Sequence, residues 1–207
     1  MSGPLSIFYF LVLILSIILH EVAHGLAAER EGDPTARMLG RITLNPLKHI
    51  EWFGSVILPA ILILSGTGFV VGWAKPVPYN PANLKRGKKS EAIVSMAGIV
   101  VNLSIAVIFG LAIRIFMSLG VNSLAFFDIA SIIVLLNIVL AIFNAIPIAP
   151  LDGFRFLSAI LPSRFEPQMR VLERYSLPLL IAFILIGWKF VAPLAFKLFA
   201  VLTGIAL

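Results

Sequence analysis

Residues 5–28 read LSIFYFLVLILSIILHEVAHGLAA, and this stretch decides the fold class. Its first fifteen residues carry no charge, and the run is longer than the roughly 20 apolar residues that cross a bilayer as an α-helix. Near its end come His20, Glu21 and His24, which are costly inside lipid unless they are paired or bind a metal ion. The stretch therefore predicts a membrane-spanning helix with a polar, functional end.

The composition of the whole chain indicates an integral membrane protein. Of its 207 residues, 60% are hydrophobic and 13% are charged, whereas soluble domains carry about 25% charged residues. The chain has no cysteine, which excludes disulfides and thiolate metal sites. The net charge of +6 comes from basic residues between apolar runs, without the basic, aromatic-interleaved patch of a nucleic-acid binder. We therefore expect a lipid bilayer, and no nucleic acid, as a partner.

Three further runs are long and apolar enough to cross a membrane, at residues 90–119, 126–146 and 175–206. Pro193 is expected to kink or divide the last of them. A fifth apolar stretch, residues 52–71, is ambiguous, because only about 13 of its residues favour a helix before a segment rich in glycine and proline.

The distribution of charge indicates how the ambiguous stretch is arranged. Loops 29–51, 72–89 and 149–174 hold thirteen of the sixteen basic residues. The positive-inside rule places all three on the cytoplasmic side only if residues 52–71 enter the membrane and return. We therefore predict a short helix going in and an extended strand coming back, packed beside a functional cavity. The alternative is a fifth ordinary span.

The predicted fold is an all-α polytopic membrane protein with about four full transmembrane helices plus a re-entrant helix/β-hairpin element. The count becomes five or six if the hairpin or the C-terminal span is counted differently. We expect one domain over residues 1–207, with its core at 5–161 and a C-terminal span at 175–206. The first run lacks the positive n-region of a signal peptide and is expected to be retained. The N-terminus is expected outside, and the active site toward the cytoplasm.

The residues HEVAH, at positions 20–24, carry the chemistry. Four residues apart on a helix, His20 and His24 share a face and can bind one metal ion, with Glu21 beside them as general base for a water. Zinc, one per chain, is expected, because imidazole suits it and it lowers the pKa of bound water toward ~7. For the third ligand we prefer Asp152, at the same predicted depth, over His49. Asp152 could instead cap a short helix over 153–161.

Four motifs in order make the chain resemble the site-2 protease family, in its compact prokaryotic branch without a PDZ domain. They are HExxH in a first span, GWAKPVPYNPANL at 72–84, AGIVVNL at 97–103 and NAIPIAPLDG at 144–153. The resemblance extends from about residue 19 to 161. It implies an intramembrane zinc endopeptidase of the prokaryotic plasma membrane that hydrolyses peptide bonds in the transmembrane helix of a protein substrate. It also implies that His20, His24 and Asp152 bind zinc while Glu21 acts as base.

The resemblance also points to residues that contact substrate. Asn102 and Asn144 fall on the family's motif asparagines, which could bind substrate or stabilise the transition state, or only join helices by hydrogen bonds. Gly72, Trp73 and Pro76, on the predicted strand, are expected to pair with an unwound substrate by β-addition. The alternative for this strand is a structural turn.

Other functions stay open from the residues alone. They are a catalytically silent homologue that acts as a membrane binding or regulatory protein, a metal transporter, and a membrane zinc enzyme whose third ligand is a glutamate such as Glu91. The intact set His20, Glu21, His24 and Asp152 argues against the first. The scarcity of ionisable residues in the other spans argues against the second. The sequence does not name the substrate, the cut site or the oligomeric state.

Overall fold

The structure is a computed structural model that describes residues 3–57, 60–61, 64–65, 72 and 74–205. Over these residues it contains α-helices and short helical turns and no β-strand, which confirms the predicted all-α class. The helices are α1 Gly3–Arg30, α2 Thr35–Met38, α3 Lys88–Ser118, α4 Leu124–Asn144, α5 Asp152–Ile160, α6 Glu166–Arg174, α7 Ser176–Ile186 and α8 Trp188–Thr203. Short turns of 3₁₀-helix lie at Pro46–His49, Pro81–Asn83 and Ser163–Phe165.

Three of these helices, α1, α3 and α4, are long and apolar enough to cross a membrane. The pair α7 and α8 makes a fourth candidate span if it is counted as one bent segment. Large apolar side chains on these helices point away from the bundle, among them Leu15 (51% exposed), Ile108 (63%) and Leu185 (73%). Such an outward apolar surface is what a lipid-facing helix requires, so the predicted number of spans agrees with the structure.

The last span is divided at Gly187 rather than at Pro193, where the sequence suggested a break. Helices α7 and α8 meet at 62° across Gly187, and Pro193 lies inside α8. A Cβ atom at position 187 would lie 2.3 Å from Cε2 of Phe183. Glycine is therefore required for the close packing of the Phe183 ring at the bend, whereas the helix continues past the proline.

The core lies where α3, α4 and α8 pack together, and α1 packs against α3 and α4. Small side chains let the helix backbones approach closely, as is common between membrane helices. A Cβ at Gly110 of α3, for example, would lie 2.9 Å from Cβ of Leu202 on α8. The fully buried core residues include Ala106, Ile113, Val134, Ile138, Ala195 and Phe199.

The three basic loops meet at one end of this bundle, where α1 ends and α3 begins. Glu31, just after α1, pairs with the guanidinium of Arg86 and accepts a hydrogen bond of 2.5 Å from the hydroxyl of Ser90. These two partners lower the pKa of the Glu31 carboxyl. Lys88, at the start of α3, pairs with Glu166 at 2.9 Å, which brings the third loop to the same end.

Asp33, which is buried, connects loop 29–51 to loop 72–89 by hydrogen bonds. Its fully buried carboxylate accepts hydrogen bonds from the backbone N–H and hydroxyl of Thr35, the N–H of Asn80 and the side-chain amide of Asn83. Burial alone raises the pKa of this carboxyl, but the hydrogen bonds outweigh burial and lower it. An ionised Asp33 therefore fixes the chain at 80–83 to the end of α1.

The ambiguous stretch begins and ends at the same place. The backbone N–H of Lys75 donates to the carbonyl of His49 at 2.8 Å, and Arg41 Nη2 donates to the carbonyls of Lys75 (2.8 Å) and Pro76 (3.2 Å). A full span would separate its two ends by the ~30 Å hydrocarbon core. A π-helical turn at Trp52–Ile57 opens the segment. Residues 74–80, the described part of the predicted return, form no β-strand, and residues 58–59, 62–63, 66–71 and 73 lie outside the described residues.

This closure predicts the result of cysteine labelling in a chain that has no cysteine of its own. Lys48→Cys and Lys85→Cys, both at exposed positions, are expected to react with a membrane-impermeant thiol reagent from the same side of oriented vesicles. Asn122→Cys, exposed between α3 and α4, is the control that should react from the other side. Labelling of positions 48 and 85 from opposite sides would contradict the re-entrant arrangement.

Candidate metal centre

Helix α1 and the first residue of α5 bring three potential ligand atoms together. His20 and His24 lie one turn apart on α1, and their Nε2 atoms are 3.1 Å from each other. Oδ2 of Asp152 is 2.9 Å from Nε2 of His20 and 3.1 Å from Nε2 of His24. Both imidazoles are buried. The structure therefore places the three residues that the sequence predicts as ligands around one point.

The far nitrogen of each imidazole faces an oxygen on α3. Nδ1 of His24 is 2.7 Å from the carbonyl of Val94, and Nδ1 of His20 is 2.6 Å from Oδ1 of Asn102. Because a carbonyl can only accept, Nδ1 of His24 carries the proton. In a neutral ring this leaves an electron pair on Nε2, the atom that faces Asp152.

This geometry fits a zinc ion. Electron pairs that converge within about 3 Å repel one another unless a proton or a cation lies among them, and zinc–ligand bonds of 2.0–2.1 Å imply ligand separations of about 3.3 Å in a tetrahedron. Two imidazoles with one carboxylate are a donor set that zinc accepts.

Asp152 reaches the histidines because the chain turns sharply between α4 and α5. Asp152 is the first residue of α5, and the capping position belongs to Leu151, which makes no side-chain cap. The alternative role of Asp152 as helix cap is therefore not observed. A Cβ at Gly153 would lie 2.2 Å from the carbonyl oxygen of Ala145, so glycine is required for α5 to begin this close to the end of α4.

The other candidate ligands lie elsewhere. Nε2 of His49 bonds the carbonyl of Thr43 at 2.9 Å, and His49 and Glu91 do not belong to the cluster. Within the described part of the chain, His20, His24 and Asp152 form the one group of three or more His, Cys, Asp or Glu side chains close enough to hold an ion.

Glu21 is held by the segment that the sequence predicts as a strand. The N–H of Val77 donates to Oε2 of Glu21 at 2.8 Å, and the buried Val77 side chain packs against α1, where a Cβ at Gly25 would be 3.0 Å from its Cγ1. Pro76 and Pro78 have no N–H, and that of Lys75 donates to His49. Within 75–78, which the structure describes in full, every backbone N–H thus has a partner inside the protein.

These groups face a common cleft of about 460 Å³, a volume typical of ligand sites. Of the residues predicted to contact substrate, Pro76 and Asn144 line it. Gly72 is described but does not line it, Trp73 lies outside the described residues, and Asn102 is fully buried behind His20. The lining includes His20, Glu21, His24, Asp152, Tyr79 and Arg155.

Sequence reasoning missed several groups of this site. The carbonyl of Val94 and the N–H of Val77 are backbone groups, and their role cannot be predicted from the type of residue. Asn137, which bonds Asn102, did carry a signal, since a carboxamide inside an apolar span needs a partner.

Comparison with known proteins decides the family. The profile described as Peptidase family M50 matches residues 119–187. "Putative zinc metalloprotease YwhC" of Bacillus subtilis (strain 168) is 38% identical over 198 residues, which are 92% of this chain and 84% of that protein. The chain belongs to peptidase family M50. It is a membrane metalloendopeptidase whose cofactor is zinc, and the predicted resemblance to site-2 proteases is confirmed.

Other relatives of this M50 peptidase carry a similar name. "Putative zinc metalloprotease Rip2" of Mycolicibacterium smegmatis is 33% identical over 150 residues, 68% of this chain and 52% of that protein. The Rip2 of Mycobacterium tuberculosis (strain H37Rv) is 27% identical over 188 residues, 86% of this chain and 68% of that protein. No solved structure matches the chain.

Proposed function

We propose that this M50 peptidase cleaves peptide bonds inside the transmembrane segments of membrane-protein substrates, as in regulated intramembrane proteolysis. The observation that carries the proposal is the position of the cleft: His20, Glu21, His24 and Asp152 line it at one end of an apolar helix bundle. His20 and His24 would hold one zinc ion per chain together with Asp152. A substrate's own helix lies at this depth in the bilayer, and the polar loops at the same end admit water.

Glu21 is the general base in this proposal. Zinc, when bound, supplies a Lewis acid that lowers the pKa of water in the site toward ~7. The Glu21 carboxylate accepts the proton of the attacking water and delivers it to the leaving amine nitrogen. The N–H of Val77 lies 2.8 Å from Oε2. This hydrogen bond restricts the rotamers of the Glu21 side chain and holds its carboxylate beside the proposed ligands.

Substrate enters between the 74–79 segment and the end of α4. A helical substrate hides its scissile bond in its own hydrogen bonds, so it must be unwound first. Pro76 and Asn144 both line the cleft, and Nδ2 of Asn144 donates to the carbonyl of Leu140 at 3.0 Å. Because the N–H groups of 75–78 already donate within the protein, pairing with substrate there would use backbone carbonyl oxygens as acceptors.

The orientation in the membrane follows from charge. Loops 29–51, 72–89 and 149–174 meet at one end of the bundle, and the positive-inside rule assigns this end to the cytoplasm. The N-terminus then lies outside a prokaryotic plasma membrane, and residues 1–207 act as one protease domain.

Removal of the metal is expected to abolish cleavage reversibly. The test uses purified full-length protein and a reporter substrate with a single transmembrane helix. Treatment with ortho-phenanthroline should reduce cleavage to background, and stoichiometric zinc should restore it. The non-chelating meta isomer is the control. Undiminished cleavage after zinc has been shown to be absent would overturn the proposal, and so would cleavage confined to soluble segments of the reporter.

A further inference from the structure

A buried chain of polar side chains leads to His20 from behind the metal centre. Nδ1 of His20 is 2.6 Å from Oδ1 of Asn102, whose Nδ2 donates to Oδ1 of Asn137 at 2.9 Å. Nδ2 of Asn137 donates in turn to Oγ of Ser16, also at 2.9 Å. Both asparagines are 0% exposed, and Ser16 and His20 are buried as well. This series of hydrogen bonds thus runs from Ser16 on α1 through Asn137 on α4 and Asn102 on α3, and ends at His20, one turn after Ser16 on α1.

The direction of every hydrogen bond between Asn137 and His20 is fixed by the contacts of Asn137. Nδ2 of Asn137 also donates to the backbone carbonyl of Ile133 at 2.9 Å, and a carbonyl can only accept. The opposite atom of Asn137 is therefore its oxygen, which must receive a hydrogen from Nδ2 of Asn102. Oδ1 of Asn102 is then the atom that faces His20, and Nδ1 of His20 must carry the proton.

The ring is also confined sterically. Gly98 lies on α3 one turn before Asn102, and a Cβ at position 98 would be 2.4 Å from Cε1 of His20. The imidazole therefore lies directly against the α3 backbone. It cannot rotate away from Asn102 without leaving this contact.

We propose that Asn102 and Asn137 are positioning residues that fix the tautomer and orientation of His20, so that its Nε2 presents an electron pair to zinc. This inference rests on the zinc site proposed above. It gives Asn102 a role other than contact with substrate or transition state, because both ends of its amide are engaged inside the bundle and it does not line the cleft. His24 needs no such chain, since the carbonyl of Val94 fixes its tautomer directly.

The test is the zinc affinity of the purified full-length protein, measured by competition with a chelating dye. Loss of a group that orients a ligand costs about 10–100-fold in metal affinity. Asn102→Leu is expected at the upper end of this range and Asn137→Leu at the lower. Since Asn137 acts through Asn102, the double variant should bind zinc no more weakly than Asn102→Leu alone. Thr203→Val, which removes a buried hydroxyl at the end of α8, should bind like the wild type.

The outcomes separate this inference from the proposed function. A wild-type protein that does not bind zinc contradicts the zinc site itself. Wild-type affinity in Asn137→Leu, or a double variant whose loss is the product of the two single losses, overturns the positioning role while leaving the zinc site intact.

A second measurement needs no variant, in case the leucine proteins do not fold. The chain has three histidines, and nitrogen-15 labelling of their rings reports which nitrogen carries the proton and which binds zinc. His20 and His24 are expected as Nδ1–H rings bound through Nε2. His49, whose Nε2 bonds the carbonyl of Thr43, is the internal reference of opposite tautomer. Binding of zinc through Nδ1 of His20 would overturn the inference.

Discussion

Glu21→Gln is expected to lower the rate of cleavage by about 10²–10⁴-fold, the usual contribution of a general acid–base group, while zinc stays bound. Glutamine keeps the size of the side chain, and its carbonyl oxygen can still accept the hydrogen bond that Val77 donates to Glu21. The substitution removes the carboxylate that we propose accepts the proton from water. The ligand atoms of His20, His24 and Asp152 are untouched.

The measurement compares turnover of a transmembrane reporter with zinc content in the same preparations. Glu91→Gln on α3 is the matched control, because Glu91 lies outside the metal cluster, and it should cleave like the wild type. Full activity in Glu21→Gln would falsify the proposed mechanism. Loss of zinc in that variant would instead show that Glu21 supports the metal centre.

Asp152→Ala is expected to weaken zinc binding by more than the 10–100-fold that loss of an orienting group costs, because one of the three proposed ligands is itself removed. The two imidazoles on α1 would remain as the only protein ligands of the site. The zinc content of the purified protein should fall from near one per chain to well below it, and cleavage should fall with it.

Asp128→Ala, on α4 and outside the metal cluster, is the control for this experiment and should retain zinc. A stoichiometric zinc content in Asp152→Ala would mean that another side chain completes the site. In that case His49→Ala would be the next variant, since His49 is the remaining histidine of the chain.

The parts of the fold that follow periodicity and length could be read from the sequence. The predicted spans at 90–119 and 126–146 differ by only a few residues from α3 and α4, because the ends of a long apolar run determine where a membrane-spanning helix begins and ends. Asp152 was found by an argument about depth: a carboxylate just after the third span emerges on the same side as the end of α1. The structure places it 2.9 Å from His20.

The parts that depend on packing or on backbone atoms could not be read in this way. Gly187 divides the last span because the ring of Phe183 packs against it, a contact that no local pattern encodes. Val77 N–H and Val94 C=O hold Glu21 and His24, yet any residue except proline offers the same two groups. The orientation of the Asn102 amide depends on the side chain of Asn137 on α4, which only the assembled bundle brings near.

Because hydrogen bonds at Lys75 hold the end of segment 50–74 in place, the length of this segment is expected to have little effect on the position of Glu21. Twenty-five residues, 50–74, separate His49 from Lys75, and the backbone of Lys75 is bonded to the carbonyl of His49 and to Arg41. Doubling the length of a flexible loop adds only about 0.6 kcal/mol to its closure cost. Insertions and deletions within 50–74 would therefore leave Val77, and with it Glu21, in place.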